Sequence, residues 1–372
     1  MKAVFTCGGT GGHINPALAV ARVLLERRPD SEILFVGAED GMEATLVPRE
    51  GFRLETLQIS SYMRSLKPSA IRHNVRAALS IRRALKKADR IIRDFQPDVI
   101  LGTGGYASYP MLHEGARLGI PTAVHESNAV PGLATKMVAD KVDRILVSFA
   151  DSRSAYRDPS RVIAVGMPVR EEFVFTRRAL GLDEKTPMIV SAWGSLGARE
   201  MNKKIAQFMK LECEQDCWRH IHATGSFGWR WMPDYVKEQG VELEKHPLIT
   251  MQEYIYNMPE LMAAADVVIS RAGASTLNEI AAAGTPCIIV PSPNVTNDHQ
   301  EKNARILEQH GAAVVLHENH CDGELLFRTT QELLADAPRR ASMRKALQEL
   351  AVVDSASRIC DIILNLAKTH KS

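Results

Sequence analysis

Long apolar runs are missing from this 372-residue sequence. Nothing approaches the roughly 20 apolar residues that span a bilayer, and the apolar run within residues 1–7 is too short for a signal peptide. The expectation is a cytoplasmic protein that still touches a membrane surface. An excess of one charge is also missing. Lys and Arg number 46 against 44 Asp and Glu, a net +2, so bulk charge implies no nucleic-acid partner. Cysteines are few and scattered, at 7, 213, 217, 287, 321 and 360, and a cytosolic enzyme keeps them reduced. Cys213 and Cys217 precede His220 and His222, but the spacing matches no common zinc finger, so no metal site is expected. No Asp-x-Asp motif occurs. The first glycine loop lacks a complete G-x-G-x-x-G in any register, because Ile14 or Thr10 falls where a glycine is required; a nicotinamide cofactor is therefore not implied, although the acidic pair Glu39–Asp40 follows the second strand.

What is present is a soluble globular composition, 45% apolar and 24% charged, of a length that suits two domains. The organising stretch is 265–304. Its start, Ala265-Asp266-Val267-Val268-Ile269, predicts a buried parallel strand. Arg271-Ala272-Gly273-Ala274 makes a small-residue turn. Ser275 and Thr276 are the expected N-caps of a helix reaching about Ala283, with Glu279 in its first turn. Gly284 is the expected C′ residue and Pro286 stops the helix; Cys287-Ile288-Ile289-Val290 is the next strand. In an open α/β sheet ligands bind at the carboxyl end of such a strand. The helix start would receive a phosphate, and a carboxylate one turn in would accept from ribose hydroxyls. That reading is a nucleoside diphosphate with its sugar; the plain alternative is a βαβ unit capped for stability.

Residues 2–7 predict a first strand, running into Gly8-Gly9-Thr10-Gly11-Gly12-His13 and a helix from about Pro16 to Arg27. His13 is the general-base candidate; a hydrogen-bonding bystander is the alternative. Residues 64–93 carry ten basic residues against one acid, Asp89. Ile71, Val75, Ala78, Leu85 and Ile92 form a core-facing helical stripe, with Leu79 and Ile81 off it. This is either a solvated basic helix or a surface for anionic lipid. Strands near 98–101, 121–124 and 144–147 follow, the first two ending in Gly102-Thr103-Gly104-Gly105-Tyr106 and His125-Glu126-Ser127-Asn128. These tips are expected to converge on one edge as a binding cleft. Past Gly166-Met167-Pro168-Val169-Arg170, residues 188–193 and Gly194-Ser195-Leu196-Gly197-Ala198 repeat the opening pattern. Two doubly wound α/β halves are expected: 1–165, and 166–355 after a long polar connection at 225–245 in its middle. A last helix of about 356–370 packs back on the first half.

The five loops, in this order and spacing over essentially the whole chain, closely resemble the MurG family of bacterial peptidoglycan glycosyltransferases. The resemblance implies the GT-B fold, two Rossmann-like domains with a cleft between them. It implies transfer of GlcNAc from UDP-GlcNAc to the 4-hydroxyl of MurNAc in an undecaprenyl-linked lipid acceptor (lipid I) at the cytoplasmic membrane face, with an anionic membrane surface as partner and no cofactor or metal. Carried over by position, Thr10, Gly11 and Gly12 match the first loop and Asn128 the asparagine near the sugar. Arg170 matches the hinge arginine, Ser195 the phosphate-side serine, and Ile255 the position whose backbone reads uracil. Ala274, Ser275, Thr276, Leu277 and Glu279 match the ribose and phosphate helix, and Gln300 a sugar-hydroxyl ligand. Departures touch flanks: Trp193-Gly194 where Gly-Gly is usual, Gly-Met-Pro at the hinge, and Ser127 for a common Gln.

The family inverts, so one direct displacement is expected, with His13 as base and the second-domain helix, Ser195 and Arg170 holding the leaving diphosphate. Rivals are a UDP-GlcNAc epimerase on the same fold, a transferase to another lipid such as diacylglycerol, and a non-catalytic nucleotide-sugar sensor.

Overall fold

The computed structural model describes residues 1–59, 68–168, 180–181, 185–215 and 218–369, with the described side chains of the long basic helix beginning at Ser80. The chain forms two compact units, Met1–Val169 with Val352–Ser372, and Arg170–Ala351.

In the first unit β1 (Lys2–Thr6), α1 (Gly11–Arg27), β2 (Glu32–Ala38), α2 (Glu43–Arg49), β3 (Arg53–Leu57), α3 (Pro68–Phe95), β4 (Val99–Gly102), α4 (Ser108–Arg117), β5 (Thr122–Glu126), α5 (Leu133–Val138), β6 (Arg144–Val147) and β7 (Val162–Ala164) follow in turn. The strands form one parallel sheet in the order β3-β2-β1-β4-β5-β6-β7. A parallel sheet is covered on both faces, and alternate residues of β1 divide accordingly. Ala3 and Phe5 join α1 on one side, while Val4 joins Ala84, Ala88, Met111 and Leu112 of α3 and α4 on the other.

The second unit repeats the plan: β8 (Met188–Ala192), α6 (Arg199–Gln215), β9 (Arg219–Ala223), α7 (Met232–Glu238), β10 (Ile249–Gln252), α8 (Met258–Ala264), β11 (Val267–Ser270), α9 (Ala274–Ala283), β12 (Cys287–Ile289), α10 (His299–Gln309), β13 (Val314–Val315), α11 (Gly323–Ala335) and α12 (Ala337–Leu350). Its parallel order, β10-β9-β8-β11-β12-β13, is that of the first sheet without a seventh strand. The final helix α13 (Ser355–Thr369) belongs to the first unit. Its Ile359, Cys360, Ile363 and Ala367 pack into the core beside α1, and Arg27 reaches Asp361 at 2.6 Å.

Four local expectations are corrected. The first helix begins at Gly11, so Pro16 is its sixth residue and not its first. Proline there forgoes the bond to the Gly12 carbonyl, a loss the buried face of α1 outweighs. The stretch 225–245 is more than a polar connection, because α7 buries Met232 and Val236 within it. Strand β5 runs through His125 and Glu126, burying both. On α3, Ile81 stands one turn before buried Ala84 and is itself half-buried, so it lies beside the core row and not off it. Arg64, Lys67 and Arg170 lie outside the described residues, as do the side chains of Ile71, Arg72, Val75, Arg76, Ala78 and Leu79. Among the described residues no helix is long and apolar enough to cross a membrane.

Candidate active site

Helix α1 lies on one face of the first sheet and α4 on the other, so the chain reverses its winding between β1 and β4. A crevice opens at the carboxyl ends of two strands related this way, and it is where ligands bind in such sheets. Thr10 is the extended residue before α1, with no side-chain cap, and Gly11 and Gly12 are the first two helical residues. Their backbone N–H groups lack intrahelical partners and carry the positive end of the helix dipole.

His13 follows, half-buried, its Nδ1 3.1 Å from the Thr103 carbonyl at the β4 tip. A carbonyl only accepts, so Nδ1 carries the proton and Nε2 the basic lone pair. Thr103 returns its hydroxyl to the His13 carbonyl at 2.6 Å. Gly104 has φ +103°, and a Cβ there would fall 2.7 Å from His13 Nδ1, so both backbone and space demand glycine.

Two carboxylates that sequence reasoning missed hold these tips. Buried Glu43 accepts from Gly9 N at 3.1 Å and from Ala38 N at 2.6 Å. The acidic pair noted in the sequence, Glu39 and Asp40, is exposed instead. Buried Glu126 accepts from the Asn128 backbone and side chain at 3.0 and 3.2 Å, from Gly132 N at 2.9 Å and from Thr135 Oγ1 at 2.6 Å. Asn128 is thereby held in a set orientation at the β5 end. His125 is fully buried, its Nε2 donating to the Gly166 carbonyl at 2.9 Å. Burial, with His13 a lesser cause, pushes its pKa below the usual value.

In the second unit the corresponding crevice lies between β8 and β11. Exposed Ser195 is in the loop after β8. The N-cap of α9 is Gly273, not Ser275 or Thr276, which sit inside the first turn; Gly273 is extended and its carbonyl accepts from Leu277 N at 2.9 Å. The bare donors are thus the N–H groups of Ala274, Ser275 and Thr276. Glu279 is the sixth helical residue, half-buried in the second turn, and Gly284 closes the helix in the left-handed region at φ 63°. Leu277 is core and brings no side chain to the crevice. Ile255 is 1% exposed between exposed Tyr254 and Tyr256, so only its main chain can meet a ligand. Gln300, on the first turn of α10, accepts from Ser292 N at 2.9 Å.

Arg271, in the turn before α9, anchors that turn to the chain just past β12 and to Glu318. Its guanidinium donates to the Val290 and Pro291 carbonyls at 3.1 and 3.2 Å, pairs with Glu318 at 2.6 Å and lies 5.9 Å from the Trp193 ring centroid. Buried Asn303 donates to the Ala272 carbonyl at 3.1 Å. His220 and His222 are engaged by Ser191, and among the described residues no three His, Cys, Asp or Glu side chains group to hold a metal ion.

Two parallel-sheet units, each with bare helix N-termini at its reversal point, define a two-domain GT-B glycosyltransferase. Residues 3–147 match the glycosyltransferase family 28 N-terminal domain and residues 188–359 its C-terminal domain. The chain is 38% identical over 373 aligned residues to a UDP-N-acetylglucosamine–N-acetylmuramyl-(pentapeptide) pyrophosphoryl-undecaprenol N-acetylglucosamine transferase of Acetivibrio thermocellus, covering 99% of each. It is 37% identical to the protein of that name from Caldanaerobacter subterraneus subsp. tengcongensis, covering 98% of this chain and 99% of that one. The crystal structure of Acinetobacter baumannii MurG matches with a TM-score of 0.77 at 25% identity, over 98% of this chain and 100% of that one. The chain belongs to glycosyltransferase family 28.

His222 shares with His125 a pKa lowered first by burial, and then by His220. Histidine in the unfolded chain titrates near 6.5. Below that pH the unfolded state takes up protons that the folded state refuses. The stability from these two groups is therefore whole above about pH 6.5 and declines as pH falls toward the folded values, by up to about 1.4 kcal/mol per pH unit for each histidine. The thermal midpoint should drop between about pH 7 and about pH 5, and more shallowly in His125→Asn; identical profiles would mean His125 is not held neutral.

Proposed function

We propose that the protein transfers GlcNAc, with inversion, from UDP-GlcNAc to the MurNAc 4-hydroxyl of undecaprenyl-diphospho-MurNAc-pentapeptide. The observation that carries this is the full-length likeness to relatives bearing the name of that reaction. In this reading the first unit takes the acceptor and the second the donor. The uracil meets the main chain at Ile255, the ribose Glu279, and the sugar hydroxyls Gln300 and Asn128. The diphosphate lies against the N–H groups opening α9, with Ser195 and Arg170. Those donors match the charge that grows as UDP leaves. Thr10, Gly11 and Gly12 of the first loop add donor contacts, and His13 Nε2 takes the hydroxyl proton as the oxygen attacks the anomeric carbon. Release of UDP with lipid I as acceptor, against diacylglycerol and against no acceptor, tests the assignment. Turnover without an acceptor would point to the epimerase instead.

His13→Ala should lower turnover by roughly 10²–10⁴, the range for a general base, with UDP affinity nearly intact; a loss confined to donor binding would move the base elsewhere. Glu279→Gln should weaken UDP-GlcNAc binding by about 1.5–3 kcal/mol, the scale of a hydrogen bond to a charged group, and an unchanged calorimetric affinity would rule out the ribose role.

The acceptor's lipid remains in the bilayer, so the enzyme works as a peripheral protein at the cytoplasmic membrane face. The support is α3, where Arg82, Arg83, Lys86, Lys87 and Arg90 are exposed and Arg93 pairs with Asp89. Each exposed cation contributes about 1 kcal/mol near an anionic surface, and salt screens it. Charge reversal of Arg72, Arg76, Arg82 and Arg83 to Glu should abolish binding to anionic vesicles while a water-soluble short-chain acceptor is still used. Vesicle binding that survives the four reversals would move the docking surface off this helix.

A further inference from the structure

Beneath the β8 and β9 loops of the second unit lies a buried chain of polar side chains that the proposed chemistry does not use. Glu212, on α6, is 2% exposed; its carboxylate accepts from Trp218 Nε1 and, at 2.8 Å, from His220 Nδ1. His220 Nε2 is 2.7 Å from Ser191 Oγ, which is 2.6 Å from His222 Nδ1. Ser191 and both histidines are fully buried. Phe208 packs edge-on against His220 at 5.4 Å, with Trp218 and Phe327 around it.

With both histidines neutral, the donors and acceptors admit one consistent direction. A carboxylate only accepts, so His220 carries its proton on Nδ1 and its lone pair on Nε2. Ser191 has one proton and gives it to that lone pair. His222 then donates from Nδ1 to Ser191 Oγ, and its Nε2 keeps a lone pair that has no hydrogen-bond partner among the described residues. Each group is satisfied through the next, so the carboxylate at one end sets the tautomer at the other. Burial, and after it the neighbouring His220, pushes the His222 pKa well below the usual imidazole value; its ring lies 6.5 Å from that of Trp193.

Ser191 and His222 are register partners, and just past them both strands open into loops. The two loops interlock. Ser226 N donates to the Ser195 carbonyl at 3.1 Å and Phe227 N to the Leu196 carbonyl at 3.2 Å. A Cβ on Gly197 would fall 2.0 Å from the Thr224 carbonyl oxygen, and one on Gly225 2.1 Å from Gly197 N. Asn202 Nδ2 bonds the Thr224 carbonyl at 2.8 Å. The Ser191–His222 pair thus leads directly into two loops that are bonded to each other.

We infer that Glu212, His220, Ser191 and His222 are positioning residues for the donor loop: their one-directional hydrogen-bond chain sets the placement of residues 194–198. This rests on the reading of that loop as the diphosphate loop.

Glu212→Gln is the test, because it keeps the shape and an acceptor for Trp218 while offering His220 Nδ1 a donor. The chain must then reverse, putting the protons of both histidines on Nε2. Side-chain nitrogen NMR should show both tautomers exchanged. The donor KM should rise roughly two- to thirty-fold, the span for substitutions within a coupled network, with kcat and the acceptor KM little changed. Ser191→Ala, a smaller change that breaks the chain at its middle, should raise the donor KM in the same range. Ser195→Ala touches the loop and not the chain, and so separates two failures. A donor KM indifferent to Ser195→Ala would overturn the site reading, and this inference with it. A donor KM that responds to Ser195→Ala but not to Glu212→Gln or Ser191→Ala would overturn the positioning role alone, as would unchanged tautomers in Glu212→Gln.

Discussion

A loop that must offer bare backbone N–H groups to a ligand has few side chains with which to hold itself. In this protein the holding is done from beneath by buried carboxylates. Glu43 takes the N–H of Gly9 in the first glycine loop and ties it to the end of β2. Glu126 gathers Asn128, Gly132 and Thr135 at the end of β5. Glu212 acts at longer range through two histidines and a serine. A buried carboxylate is costly unless its lone pairs are filled, and each of these is filled by at least two donors. The cost is offset by hydrogen bonds that fix loop geometry, so the same atoms satisfy the charge and shape the site.

The second constraint is the parallel sheet. Both its faces need cover, and its winding reverses beside the first strand of each unit. The reversal places α1 and α9 with their N-termini open, which is the physical basis for anion binding on this fold. The first unit completes its cover with the last segment of the chain. Ile359 and Ile363 of α13 fill the α1 side of the core, so this unit is closed only when the final fifteen-residue helix is in place.

Much of this was legible in residue order. Continuous Val/Ile/Leu runs such as 99–101 and 267–269 announce doubly covered strands, and the glycine-rich tips after β1, β4 and β8 announce close backbone approach. Gly284 as the left-handed end of α9 follows from the absence of a Cβ. Helix starts were less legible. Ser275 and Thr276 have the chemistry of caps, yet Gly273 takes that position because the small residues ahead let the helix begin sooner. Pro16 has the look of a first helical residue, yet the helix starts five residues earlier, where packing of Ile14 and Ala17 favours continuation.

The sequence by itself determined the two doubly wound halves and the candidate residues at their strand tips, since strand pattern, glycine spacing and capping are local properties. Tertiary structure alone decided which charges turn inward. Glu43 and not Glu39 or Asp40 reaches Gly9; Arg271 joins Trp193, Val290, Pro291 and Glu318; Glu212 finds His220 across a helix–sheet interface. These partners are distant in sequence or separated by a turn of the chain. A side chain's hydrogen bonds are set by where the folded backbone brings its neighbours, and no local periodicity encodes that.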